Sequence, residues 1–104
     1  MSEITIKRTL VKETPKLSGK KVLLKGWVET KRDHGKITFI DLRDRSGTIQ
    51  CVGFKMMGDL TTESVISVFG TIKDRPEKMI NKEIETGVVE MEVSEYQILN
   101  PSKE

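Results

Sequence analysis

The sequence predicts an all-β protein, a five-stranded barrel forming a single domain, and three observations carry that prediction. Aliphatic residues arrive in short bursts rich in Val and Ile, at Val22-Leu23-Leu24, Ile37 to Ile40 and Val88 to Val93, each bounded by Gly, Asn or Pro. A chain of 104 residues is the ordinary size of one domain with one core. Gly26 interrupts the first apolar run, where a small sheet needs a bend or bulge to close on itself.

Residues 1 to 20 carry Thr14-Pro15 and Ser18-Gly19, punctuation that predicts an irregular lead-in with one short helical turn. The first strand is expected from Lys21 to about Lys31, with Val22, Leu24, Gly26 and Val28 on one face. Arg32-Asp33-His34-Gly35 is a turn by composition. The second strand then runs from Lys36 to Asp44, with Thr38, Ile40 and Leu42 on one side and Phe39, Asp41 and Arg43 on the other. Asp44-Arg45-Ser46-Gly47 is a tight hairpin into the third strand, Thr48 to Phe54, because Asp bonds its own backbone and Gly accepts a positive φ.

Lys55 to Ser64 lacks strand alternation and is too short for more than a turn or two of helix. The fourth strand follows from Val65 to Lys73, a polar loop with Pro76 occupies Arg75 to Gly87, and the fifth strand runs from Val88 to Leu99. Apolar parity in that last run shifts between Val93 and Tyr96, which places a bulge near Ser94 or Glu95. A bent first strand, five strands in all, and a short helix or turn between strands three and four describe the Greek-key barrel of the oligonucleotide-binding (OB) fold. An SH3-like or other small barrel fits the same pattern at this stage.

The formal charge of +2 is modest but uneven. Residues 1 to 36 hold 10 Lys/Arg against 4 Asp/Glu, whereas residues 37 to 104 hold 8 against 12. A basic first third suits a phosphate-facing surface, since neutralising phosphates releases counterions. Cys51 is the only cysteine, which excludes an intramolecular disulfide and a Cys-based metal cluster and fits a reduced, intracellular setting. Nothing resembles a signal peptide, and no apolar run approaches membrane-spanning length. No nucleophile elbow or Walker-type phosphate loop is present, and His34 has no partner motif, so binding is expected of this chain and catalysis is not.

Phe39 is the most informative residue, because alternation puts a large aromatic ring opposite the Ile40/Leu42 face, among Asp41 and Arg43. An exposed aromatic on a barrel face invites base stacking, which accepts any base. Gln50 shares the polar parity of its strand, and its amide offers donors and acceptors to a base edge. Arg32, Lys31 and Lys36 flank the same turn, where Arg offers a planar face and a fork of donors, and Lys31 and Lys36 are candidate phosphate contacts.

Gly26-Trp27-Val28, Arg32-Asp33-His34-Gly35, Phe39-Ile40-Asp41-Leu42-Arg43-Asp44-Arg45, Gly47 and Gln50 together resemble the N-terminal anticodon-binding domain of aspartyl-tRNA synthetases. The resemblance continues through Gly70-Thr71-Ile72, Arg75-Pro76, Asn81, Thr86-Gly87, Glu90 and Ile98-Leu99-Asn100. Lysyl and asparaginyl relatives share the fold, and the Arg-Asp-His-Gly stretch favours the aspartyl branch. The resemblance implies that Phe39 stacks on an anticodon base, that Gln50 and Arg32 hydrogen-bond bases, and that Arg75, Asn81 and Glu90 complete the reading surface.

It also implies a partner, the aspartate-accepting tRNA, with asparagine-accepting tRNA left open, and a cytoplasmic class II enzyme that works as a homodimer. The ATP and magnesium of such an enzyme belong to a downstream catalytic domain. Neither is expected in this chain, which alone is expected to be monomeric and non-catalytic. Residues 21 to 99 would be the OB domain and residues 100 to 104 the start of the hinge toward that domain. Two departures stand out. Met79 replaces an asparagine found in many bacterial relatives, and Lys55 to Ser64 is shorter than the usual helix, which should leave one barrel end less covered. The alternative is a free-standing OB module that binds single-stranded nucleic acid or tRNA without sequence preference.

Overall fold

The computed structural model describes residues 8–100. Its strands are β1 (Lys21–His34), β2 (Ile37–Asp44), β3 (Gly47–Phe54), β4 (Val65–Asp74) and β5 (Val89–Asn100). In the order β1-β2-β3-β5-β4 they close into a barrel. Every neighbouring pair is antiparallel except β3 with β5, which run parallel and meet only at Cys51↔Met91 and Val52↔Glu92. All five expected strands are present, and β1 runs three residues further than its composition indicated, to His34. The expected helical turn of the lead-in is a 3₁₀ helix at Val11–Lys16, with Pro15 inside it. Residues 1–7 of the lead-in and residues 101–104 of the expected hinge lie outside the described residues, and Asn100 closes β5.

β1 serves two partners, pairing with β4 over Lys21 to Trp27 and with β2 over Trp27 to His34. Gly26 sits at the handover, where a Cβ would lie 2.2 Å from the carbonyl oxygen of Arg43. Its role is close backbone approach. The bulge lies three residues further on, at Glu29, where the register passes from Val28↔Leu42 to Thr30↔Asp41. One extra residue reverses side-chain parity. Before the bulge Val22, Leu24 and Val28 point into the core; after it Thr30, Arg32 and His34 stand opposite Asp41, Phe39 and Ile37 on the outer surface. In β5 the register skips Ser94, between Val93↔Gly70 and Glu95↔Phe69, within the stretch where parity placed a bulge.

The core is aliphatic, built from inward residues such as Leu24, Ile40, Leu42, Ile49 and Ile72. Segments outside the strands plug both ends. Val11 of the 3₁₀ helix is fully buried beneath the β2–β3 hairpin, with its Cγ1 3.7 Å from where a Cβ on Gly47 would stand. Beyond the far end of β3, Met57 and Leu60 are buried, so the short 55–64 segment, a succession of turns, covers its end with two side chains. Lys31 pins that segment by donating from Nζ to the carbonyls of Gly58 (2.6 Å) and Leu60 (3.0 Å). Tyr96 adds a 2.5 Å hydrogen bond from its hydroxyl to Asp59, which together with burial raises the phenol's pKa.

Cys51 is fully buried in this core, and burial, reinforced by the negative charges of Asp41 and Glu90, pushes its thiol far above the usual range. A thiolate is the reactive form, so the folded protein should not react with a chromogenic disulfide reagent at neutral pH. Labelling should appear only as denaturant unfolds the barrel, and rapid labelling of the native protein would contradict this placement.

Candidate nucleic-acid interface

The outer surface of β1, β2 and β3 is laid out in rows fixed by register. Thr30, Asp41 and Gln50 stand side by side, and the next row is Arg32, Phe39 and Val52. Arg32 reaches this surface only because the Glu29 bulge reversed its parity; in a strand of unbroken alternation it would share the inward side of Val28. β5 adds Glu90 at the other flank, next to Met91, which pairs with Cys51.

These side chains form one connected group. The guanidinium of Arg32 lies 5.8 Å from the centre of the Phe39 ring, donates to Oε1 of Gln50 at 3.1 Å and approaches Asp41 at 3.5 Å. Gln50 in turn donates from Nε2 to Glu90 at 2.9 Å. Its amide orientation is therefore fixed by chemistry, since Arg can only donate and an ionised Glu can only accept. Asp41 also accepts a hydrogen bond from the hydroxyl of Thr30. Phe39 was expected to stand exposed; it is half-buried instead, with Arg32 over one side and His34 edge-on at 5.5 Å and 82°.

Among the other residues singled out in the sequence, Arg75 staples the long loop, donating from Nε to the carbonyl of Val89 (3.1 Å) and from Nη1 to that of Met79 (3.2 Å). That places it one residue from Glu90. Asn81 shapes the same loop, its Oδ1 accepting from the Glu83 N–H at 2.9 Å. Gly87 must be glycine there, because a Cβ would come within 1.7 Å of the Asn81 carbonyl oxygen. Lys36 is exposed at the β1–β2 turn, whereas Lys31 is occupied by the 55–64 segment and its side chain is 18% exposed. Met79 projects from the loop at 64% exposure.

Asp41 and Thr30 belong to the group although neither was singled out. The parity of β2 already placed Asp41 beside Phe39, but Thr30 depended on the bulge. No group of three or more metal-ligating side chains converges among the described residues. No helix among those residues is long and apolar enough to cross a membrane.

A closed five-stranded barrel bearing an aromatic ring, a bridging amide and charges of both signs on one face defines a small β-barrel binding module. The chain belongs to the tRNA anti-codon family of OB-fold nucleic acid binding domains, whose model matches residues 22–99. It is 46% identical over 93 residues to an aspartate–tRNA(Asp/Asn) ligase of Oleidesulfovibrio alaskensis, covering 82% of this chain and 15% of the relative. It is 42% identical over 94 residues to the enzyme of the same name from Salinibacter ruber, covering 83% of this chain and 15% of that one. The crystal structure of asparaginyl-tRNA synthetase from Pyrococcus horikoshii superposes with a TM-score of 0.74 at 28% identity, covering 95% of this chain and 24% of that one. This chain thus spans about a sixth of the length of the curated relatives it matches.

Proposed function

We propose that this chain is the anticodon-recognition module of an aspartate–tRNA ligase, and that the Arg32–Phe39–Gln50–Glu90 group is its reading face. The carrying observation is that Gln50 joins Arg32 to Glu90 beside an aromatic ring on the outer surface. An unpaired anticodon base stacks on Phe39, while Arg32, Gln50 and Glu90 present donors and acceptors to base edges.

Selection follows from the prior satisfaction of that group. A base must break the Arg32–Gln50 and Gln50–Glu90 hydrogen bonds to be read, and only a base with matching edges replaces them. A mismatched base leaves polar groups unpaired at about 1–3 kcal/mol each. Arg75, Asn81 and the loop they shape flank the Glu90 side, Lys36 serves the phosphate backbone, and Lys31 acts as the anchor of the 55–64 segment. The ATP-dependent joining of aspartate, and any homodimer contact, belong to a longer cytoplasmic enzyme of which this module selects the tRNA.

The test is binding of the aspartate anticodon stem-loop compared with stem-loops of altered triplet, including the asparagine one named by the relatives. Preference for the aspartate triplet supports the reading. Equal affinity for every triplet, with a steep salt dependence, would replace it with a non-selective nucleic-acid module. Phe39→Ala should weaken stem-loop binding by about 1–3 kcal/mol, measured by fluorescence anisotropy. Its melting temperature should stay near wild type, because Phe39 lies outside the buried core cluster.

A further inference from the structure

The register of the outer surface does not stop at Phe39. One row further toward the β1–β2 turn, His34 pairs with Ile37 and Ile37 with Phe54, two residues along each strand from the Arg32–Phe39–Val52 row. That is a step of about 7 Å along the sheet. Phe54 is 59% exposed and Ile37 37%, so this end of the sheet presents an exposed aromatic ring and an aliphatic side chain side by side. His34 links the rows, since its ring meets Phe39 edge-on.

The charge around this row suits a nucleic acid. Lys55 Nζ lies 5.5 Å from the centre of the Phe54 ring. Its backbone N–H donates to the carbonyl of Lys36 at 2.7 Å, so two lysines flank the row. The carboxylates nearby are already matched: Asp33 is 3.5 Å from Lys31 and accepts from Thr38, and Glu92 is 2.8 Å from Lys73.

We propose that the His34–Ile37–Phe54 row binds one further unpaired base, flanking the triplet, with Phe54 as its stacking face and Lys36 and Lys55 on the adjoining phosphate. This rests on the anticodon reading and extends it. The site contributes affinity and register without reading identity, because an aromatic face accepts any base and the row offers few fixed hydrogen-bonding groups.

Wild type, Phe54→Ala, Phe54→Leu and Phe54→Tyr are compared by fluorescence anisotropy on the aspartate stem-loop and on stem-loops made abasic at the nucleotide on either side of the triplet. Ala and Leu should weaken binding of the intact loop about 5- to 10-fold and Tyr should not. All four proteins should bind equally to the loop lacking the stacked base, and the ratio between aspartate and altered triplets should be unchanged. The proposal is overturned by wild-type affinity in Phe54→Ala or Phe54→Leu, or by an equal loss on intact and both abasic loops. Phe39→Ala run alongside separates the two levels. If it weakens binding while Phe54→Ala does not, only this row fails, and if neither has an effect the anticodon reading fails too.

Discussion

Gly26→Ala is expected to destabilise the barrel by at least about 3 kcal/mol, the upper end of what overpacking costs. The added Cβ would stand 2.2 Å from the Arg43 carbonyl oxygen and 2.9 Å from its carbon. Both are backbone atoms held in the β1–β2 ladder, so neither can retreat as a side chain would. Relief requires parting the strands where β1 leaves β4 for β2. For a domain of this size the melting midpoint should fall by more than about 10 °C. A midpoint within a few degrees of wild type would mean that β1 and β2 are not in contact there.

Asp44→Ala should cost about 3 kcal/mol through a different mechanism, loss of a buried acceptor. The Asp44 side chain is 1% exposed. Its Oδ2 accepts from the Val11 N–H at 2.9 Å, and its Oδ1 accepts from the N–H and hydroxyl of Ser46 at 2.7 and 2.6 Å. One carboxylate therefore holds both the hairpin turn and the 3₁₀ helix that plugs the barrel. Burial by itself would raise its pKa, but the hydrogen bonds from Ser46 and Val11 and the charge of Arg8 prevail and lower it below 3.8.

The sign of the pH effect follows. A depressed folded pKa means that the carboxylate stabilises the fold above its unfolded value, and that this is lost as pH falls below about 4 through the folded value. Denaturant midpoints measured between about pH 2 and 6 should fall on acidification less steeply in Asp44→Ala than in wild type. Identical slopes would remove Asp44 from the account. Stem-loop affinity of the variant, measured well below its melting point, should match wild type, because Asp44 points inward and away from the Phe39 face.

Strand alternation made the barrel legible, since each apolar run fills one interior face and the polar partners follow by parity. It also located Ser94, because a bulge in a half-buried strand shows as a slip in the apolar pattern. Glu29 left no such trace: beyond it β1 is polar on both sides, so the reversal of parity has nothing apolar to displace. Arg32 consequently read as a turn residue, and its place over Phe39 emerged only from the register. Val11, Met57 and Leu60 were equally hidden, each being an isolated apolar residue in a polar segment whose burial depends on where the chain folds back. Phe39 and Gln50 were legible because β2 and β3 are regular hairpin strands, where position alone decides the face.

The parallel junction of β3 with β5 is the shortest in the barrel, and it joins segments forty residues apart in sequence, Cys51 to Met91. Such a seam is the least paired line around the wall. The Gln50–Glu90 hydrogen bond crosses it on the outside. A ligand gripping both residues acts as a clasp over that seam, so the free energy of recognition also holds the barrel shut, and occupancy of the face and cohesion of the fold become linked quantities.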